Sequence, residues 1–389
     1  MREGSWASRV VSSWVEPALL RAALQRNEAF WTGDLDDGPL VWATAPDTES
    51  GHAPAPPPTE ADEWTDVGYV MDKAEHDISH TFFAGDALPM HNPWLGPDQV
   101  AAWLGADITF APRDNTSWVK PFVRDWAEHP NLAIDPANRW WKLYLDILRA
   151  SVERGRGRWV TAYPDLHTGV DGLGAIRGSE NLMTDLIDCP DTVKDRMAQM
   201  TRLWLDIVDT VSGIVLPAGQ GSSNWTLGWS SGRFVCLGQN DFSCLVGPAM
   251  FDEFILGDTL ACCRHVDHVI YHLDGPGALQ HLPRLLEIDE IDCVQWIQGA
   301  GAPLPSQWLP LLRSIQDAGK SVQVFYAGDH GGKADFAVEI DALCSALDPD
   351  RLFIAAVTDS AEKARFVVDR ARTAGRTAGR TAGRAAPKH

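Results

Sequence analysis

The chain has little of what a secreted, membrane-spanning or nucleic-acid-binding protein needs. Its 389 residues contain seven cysteines (Cys189, Cys236, Cys244, Cys262, Cys263, Cys293 and Cys344), an odd number with no CxxC pair. That pattern argues against a disulfide framework and fits a reducing cytoplasm. No run approaches the roughly 20 apolar residues that cross a bilayer. Near the N-terminus the apolar patches at 10–14 and 19–24 are interrupted by Glu16 and Arg21, without the apolar stretch and small-residue cleavage site of a secretory leader. Basic residues are also scarce, 33 Lys and Arg against 53 Asp and Glu, for a formal net charge of −20. Nucleic acid and anionic membrane are therefore not expected partners, because both call for clustered cations. A cytoplasmic protein acting on a small molecule is the expectation.

What is present is a substantial apolar fraction, 45% of the residues, arranged in alternating strand-like and helix-like runs. The run at 268–271 opens a series. Residues 291–296 (IDCVQW) precede a helical period at 306–318, 321–325 (SVQVF) precede 333–347, and 352–357 (LFIAAV) precede 361–372. Nearly continuous apolar strands alternating with helices predict a parallel sheet covered by helices. Strand starts at Ala106, Arg158, Gly213, Phe234, His268, Ile291, Ser321 and Leu352 predict an α/β fold of the (β/α)8 TIM-barrel type, one domain with an N-terminal helical extension. Residues 1–60 are the extension, with a helix at 17–31, a strand at 39–43 and a Pro-rich loop at 52–58; residues 61–372 are the barrel. The TAGR repeats within 373–389 have too little apolar content to bury and predict a disordered tail. A closed barrel and an open doubly wound sheet both place ligands at the carboxyl ends of the strands.

Polar residues gather at those ends. In Tyr271-His272-Leu273-Asp274-Gly275, His272 and Asp274 are two residues apart, so an extended backbone points both to one face. An imidazole and a carboxylate aimed together can bind a metal or move a proton; a hydrogen-bonded pair that locks the turn is the plainer alternative. Gln295 and Trp296, then Asp329 and His330, then Thr358 and Asp359 occupy the corresponding places after later strands. Asp359 reads either as a helix N-cap or as a further metal ligand. Tyr163-Pro164-Asp165-Leu166-His167 repeats the two-residue offset, with Tyr163, Asp165 and His330 as candidates for proton handling. Asp86, in a Gly-Asp-Ala-Leu-Pro turn, is either a turn residue or a rim carboxylate. Trp118 is one of several tryptophans in expected rim loops, where aromatic walls would suit a flat or cationic substrate. The segment Asp165-Leu166-His167-Thr168-Gly169 falls one residue short of the Asp-x-His-x-x-Gly pattern of corrinoid-binding chains, so cobalamin is not expected within this chain.

Five blocks carry a family likeness: QRNEAFW (25–31), TFFAGDALP (81–89), LGPDQVAAWLGAD (95–107), SENLMTDLIDCPDTV (179–193) and DFSCLVGPAMFDEFIL (241–256). Their order resembles the uroporphyrinogen decarboxylase superfamily, which also holds zinc-dependent methyltransferases that work with corrinoid proteins. The resemblance implies that Asp241 and Ser243 face the substrate. An arginine-rich porphyrinogen-gripping motif is missing before Trp31, which argues against the tetrapyrrole itself. His272 matches the zinc-binding histidine of the methyltransferase branch, but Asp274 stands in place of its first cysteine, and 357–359 (VTD) in place of its second. The resemblance thus implies methyl (one-carbon) transfer to or from a small molecule, assisted by zinc or another divalent metal on His272 and Asp274, with a separate corrinoid protein as a candidate partner. In this reading Ser243, Asp86, Trp118, Gln295, Trp296 and His330 hold substrate, and no cofactor besides the metal is needed. The alternatives are a cofactor-free decarboxylase of a carboxylate-bearing, tetrapyrrole-like substrate and a non-catalytic ligand-binding barrel.

Overall fold

A computed structural model describes residues 15–35, 37–47, 53–167, 169–237, 240–327 and 333–381. Twelve strands follow in chain order: β1 (Leu40–Pro46), β2 (Thr81–Gly85), β3 (Met90–His91), β4 (Ile108–Ala111), β5 (Thr116–Val119), β6 (Val160–Tyr163), β7 (Ser223–Asn224), β8 (Phe234–Leu237), β9 (His268–Asp274), β10 (Cys293–Ile297), β11 (Ser321–Ala327) and β12 (Leu352–Val357). Seven of them form one sheet in the order β2-β1-β12-β11-β10-β9-β8, parallel throughout except for the antiparallel β1–β2 pair. A second sheet, β3-β6-β7, is parallel, and β4–β5 is a separate hairpin. The fold is mixed α/β around a mostly parallel sheet, and the hydrogen-bonded ladder among the described strands does not close into the expected ring.

Two expected strands differ. The strand from Ala106 is the first arm of the β4–β5 hairpin, turned by Pro112–Asp114 and by Asn115 at φ 49°. The strand from Gly213 is the last turn of the helix Pro190–Val215, where Val208, Val211 and Val215 keep a helical apolar period into the core; the strand that follows is β7. Segment 39–43, assigned by the sequence to an extension, lies inside the large sheet as β1, between β2 and β12. Among the described residues no helix is long and apolar enough to cross a membrane.

The sheet is curled. Phe234 on β8 and Phe353 on β12 belong to strands separated by three others, yet a Cβ added to Gly228 would lie 3.2 Å from the first ring and 3.4 Å from the second. The loop after β7 therefore crosses the inner face, and the Gln323 side chain on β11 donates to the Thr226 carbonyl (2.7 Å). Leu227 in this loop holds φ 73°, a left-handed conformation that costs a non-glycine residue about 1 kcal/mol; packing of its side chain against the inner cluster offsets that cost.

Period-two alternation sorts the side chains. Val294, Val322, Val324, Ile354 and Ala356 face outward into the main core under the helices. Trp42, Val160, Phe234, Ile270, Cys293 and Phe353 face inward, where Leu20, Ala23, Leu24 and Phe30 of the helix Pro17–Thr32 join them. That helix is capped by Glu16, which accepts from the Ala18 and Leu19 amides (both 3.0 Å), and ends at Gly33 with φ 70°. Trp31 pins it, stacking on His268 at the start of β9 with centroids 4.5 Å apart and donating to the Trp229 carbonyl (2.9 Å). The amino-terminal half of the inner face is thus filled with hydrocarbon, and polar groups are left for the carboxyl half.

Asp86 does not line a rim. It is fully buried, accepting from Arg26 Nε (2.9 Å), Arg372 Nη2 (3.1 Å) and the Val41 amide (2.8 Å). Burial pushes its carboxyl up while the two guanidiniums pull it down. Arg372 lies in the helix Ala361–Thr381, which continues through residues 373–381 rather than fraying at the first TAGR repeat. Gly375 explains why: a Cβ there would lie 2.6 Å from Gly38 Cα, so the absence of a side chain lets the helix dock against the start of β1, and Arg376 adds an ion pair to Asp37 (2.7 Å). Replacing Asp86 by alanine leaves two guanidiniums facing an empty buried position, and urea unfolding should show a loss of roughly 3 kcal/mol or more.

Candidate functional site

Strand β9 carries Ile270, His272 and Asp274 on its inner face, as the two-residue offset predicts. Register places His272 beside Gln295 of β10, and Gln295 beside Gln323 of β11. Gln295 is 3% exposed and its Oε1 lies 2.6 Å from His272 Nδ1. With the amide oxygen facing the ring, the contact favours the tautomer that donates from Nδ1 and leaves Nε2 as the acceptor. Trp225, from the loop crossing the inner face, meets the imidazole edge-on with centroids 5.0 Å apart. Gly275 then takes φ 72° and turns the chain into the 3-10 turns Pro276–His281.

A second cluster builds up beside this one. Asp165 and His167 follow β6, Asp98 precedes the helix Gln99–Trp103, Asp171 lies in the first turn of the helix Gly169–Arg177, and Asp241 begins the 3-10 segment Asp241–Leu245. His167 Nε2 is 3.5 Å from Asp165 Oδ2, and its Nδ1 is 3.7 Å from Asp98 Oδ1. Gln99, fully buried, holds the strand exit by donating to the Asp165 carbonyl (2.6 Å). Asp171 accepts from the Asp241 and Phe242 amides, both 2.9 Å.

These contacts set the charges. Burial depresses the His167 imidazole, but the Asp165 contact and the charges of Asp165, Asp171 and Asp98 overcome it and lift the group to about 9, so it is a cation at neutral pH. Burial lifts Asp171 to about 7 against the Phe242 amide and His167. Burial also raises Asp98 and Asp241. Asp241 feels His167 and Asp165 on one side and Asp274 and His272 on the other, which places both clusters in one electrostatic neighbourhood. An open cleft of about 480 Å³ is lined by Asp98, His167, Asp171, Asp241, Phe242 and Leu245 among others. A narrow crevice lined by Asn240, Asp241, Ser243, Tyr271, His272 and Asp274 meets it at Asp241. Neither lining contains Lys or Arg. A larger cavity of about 640 Å³ lies on the outside, between 130–134 and the helices Arg139–Arg154 and Pro190–Val215; its Asp195 and Asp206 alternate with Arg202, and no residue of either cluster reaches it.

His272, Asp274, Asp241, Asp165 and Gln295 therefore come together as the sequence suggests, and Ser243 lines the crevice with its carbonyl bound by His281 Nε2 (2.9 Å). Others do not. Tyr163 follows the inward Ala162 and so points outward, where its hydroxyl meets Ser212 Oγ at 2.6 Å and burial pushes it up to about 12. Trp296 follows Gln295 and is likewise outward, fully buried against Trp308 (5.0 Å). Asp86 lies in the buried arginine cluster described above. Trp118 is 48% exposed on the hairpin; only its neighbour Val119 reaches the acidic cluster, through its backbone bond to Asp98. Asp359 turns to Lys363 (2.7 Å), whose hydrogen bond holds it below the usual carboxylate range. His330 lies outside the described residues. Two site residues escape the sequence reading, Asp98 and Asp171, because an acid at a helix start reads as a cap.

The donor set stops short of a zinc centre. A catalytic zinc takes three protein ligands; His272 and Asp274 supply two, and no group of three or more His, Cys, Asp or Glu among the described residues can hold a metal ion.

No protein-family model matches the chain, and no curated protein matches it. A solved structure does: a methyltransferase from Methanosarcina mazei, 13% identical, aligned over 90% of this chain and 98% of that one with a TM-score of 0.61. The chain shares that fold.

The charges give a stability signature. His167 is lifted in the folded state, so its contribution is complete below its unfolded value near 6.5 and is lost as pH rises toward 9. Asp171, also lifted, removes further stability between pH 3.8 and 7. Nitrogen-detected NMR should find His167 protonated at pH 8, and Asp165→Asn should lower its titration by about 1 unit or more.

Proposed function

We propose that the chain is a methyltransferase acting on a small molecule at the carboxyl end of the curled sheet, within the uroporphyrinogen decarboxylase superfamily that its sequence blocks resemble. In this reading the curled sheet and the β3-β6-β7 sheet together make up a (β/α)8-type barrel. The observation that carries the proposal is His272, held by Gln295 with Nε2 left to accept a proton, inside a fold shared with a methyltransferase.

Methyl transfer needs a nucleophile freed of its proton and a donor whose leaving group departs in line. The acceptor's heteroatom forms the new bond to the methyl carbon, the donor's bond to that carbon breaks with its electron pair going to the donor, and the acceptor's proton goes to His272 Nε2. Asp274 and Asp241 nearby stabilise the imidazolium that results. The same carboxylates disfavour a free anionic nucleophile, so proton loss accompanies bond formation rather than preceding it. They also repel a carboxylate-bearing substrate, and no Lys or Arg in either lining compensates; the charge of the site thus favours methyl transfer over decarboxylation of an acidic tetrapyrrole-like compound. No step is routed through a metal.

The test is a mass-spectrometric screen for methylated product, with thiol, amine and hydroxyl acceptors offered against a panel of methyl donors. Product formation should fall about 10²- to 10⁴-fold in His272→Ala, the range expected for loss of a general base. Carbon dioxide release from a carboxylate substrate, with no methylated product from any donor, contradicts the proposal.

A further inference from the structure

We propose that Asp171 is a positioning residue whose carboxylate clasps the segment Asp241–Leu245 in the mouth of the site, and that protonation of Asp171 opens the clasp and shifts Asp241 away from His272; the catalytic consequence rests on the reading above. Asp241–Leu245 is a 3-10 segment, so its first amides have no acceptor inside it. Asp171, 70 positions earlier, supplies one. Its Oδ2 takes the Asp241 amide and its Oδ1 takes the Phe242 amide, both at 2.9 Å. Farther along, His281 Nε2 bonds the Ser243 carbonyl (2.9 Å), while Cys244 and Leu245 are exposed. The Asp241 carboxylate has no hydrogen bond of its own among the described residues. Its place beside His272 is therefore set through its backbone, and the backbone at that point is held by Asp171.

The clasp works in one charge state. A carboxylate offers an acceptor on each oxygen, whereas a carboxyl group turns one oxygen into a hydroxyl donor. That hydroxyl faces an amide N–H, donor against donor, and one of the two bonds is lost. Asp171 lines the open cleft, so solvent can deliver the proton. The groups around it pull in both directions. Burial raises the carboxyl to about 7, His167 from the β6 exit opposes that rise, and Asp241 from the clasped segment adds to it. Cys244 in the same segment and Tyr271 on β9 also feel the Asp171 charge. Arg177, in the last turn of the helix that carries Asp171, is engaged by Asp185 (2.6 Å). Above pH 7 the carboxylate holds both amides, and below it the clasp opens, so the mouth is assembled on the alkaline side of neutrality.

NMR titration of the full-length protein tests this without any substrate. The Asp171 carboxyl carbon and the Asp241 and Phe242 amides should titrate together with one midpoint near 7, both amide protons moving downfield as pH rises and the hydrogen bonds form. Asp171→Asn keeps the shape of the side chain but has one acceptor oxygen, and it should hold both amides at their low-pH positions at every pH. Asp195→Asn in the outer cavity should titrate as the wild type does. In methyl transfer, Asp171→Asn should lower kcat by about 10²-fold, the scale of a displaced catalytic group, with KM little changed, because Asp241 stabilises the imidazolium formed during transfer and not the bound substrate. Amides that do not move in the folded protein, or that move identically in Asp171→Asn, overturn the proposal. If Asp171→Asn does not fold, the wild-type spectra decide alone, and separate midpoints for the carboxyl carbon and the amides overturn it. An unchanged kcat in a folded Asp171→Asn overturns the positioning role. Amides that titrate as expected in a protein that methylates nothing contradict the methyltransferase reading and leave the clasp standing.

Discussion

A curled parallel sheet has one interior, and in this chain half of that interior is sealed by hydrocarbon. The helix Pro17–Thr32 presses Leu20, Leu24 and Phe30 against Trp42, Phe234 and Phe353, so hydrocarbon fills most of the amino-terminal end. Burying one such side chain contributes about 1.5–3 kcal/mol, and the cluster draws on β1, β6, β8, β9, β10 and β12 together. Everything chemical in the molecule is consequently displaced to the other end. His272, two residues beyond the buried Ile270 on the same face, is the first polar group on β9 past the seal, and Gln295 stands in the same position relative to the buried Cys293 on β10.

The seal also fixes the electrostatics. Carboxylates that would be solvated on an open surface are drawn by helix starts and strand exits into a confined mouth, where burial raises Asp98, Asp171 and Asp241 and their combined field raises His167. Helix Gly169–Arg177 brings Asp171 under the Asp241 and Phe242 amides, and so couples the segment after β6 to the segment after β8. The single imidazolium is outnumbered, and the site keeps a negative character that selects among ligands by charge before shape.

Much of this was legible in the sequence, and the parts that were not have identifiable causes. Continuous apolar runs marked β9 to β12, and strand alternation put His272 and Asp274 on one face. The same alternation condemned Tyr163 and Trp296, since each directly follows an inward residue, but that judgement needs the inward set to be known first. Asp86 reads as either a turn residue or a rim carboxylate; its partners Arg26 and Arg372 are 60 and 286 positions away, a pairing no local pattern reveals. Gly213 stood in a helical run whose period was hidden by flanking valines. The TAGR repeat looked too polar to fold, yet Gly375 packs on Gly38 because a glycine permits an approach that any side chain would block.

The account stands on the convergence of His272, as a Nδ1-protonated imidazole, with the acidic cluster at one mouth. The direct measurement is the ¹⁵N spectrum of the His272 ring in the wild-type protein and in Asp241→Asn. The account predicts that the neutral ring is a single tautomer with its proton on Nδ1, and that the Nε2 signal shifts when Asp241 is neutralised. An Nε2-protonated ring, or a spectrum indifferent to Asp241, would contradict it.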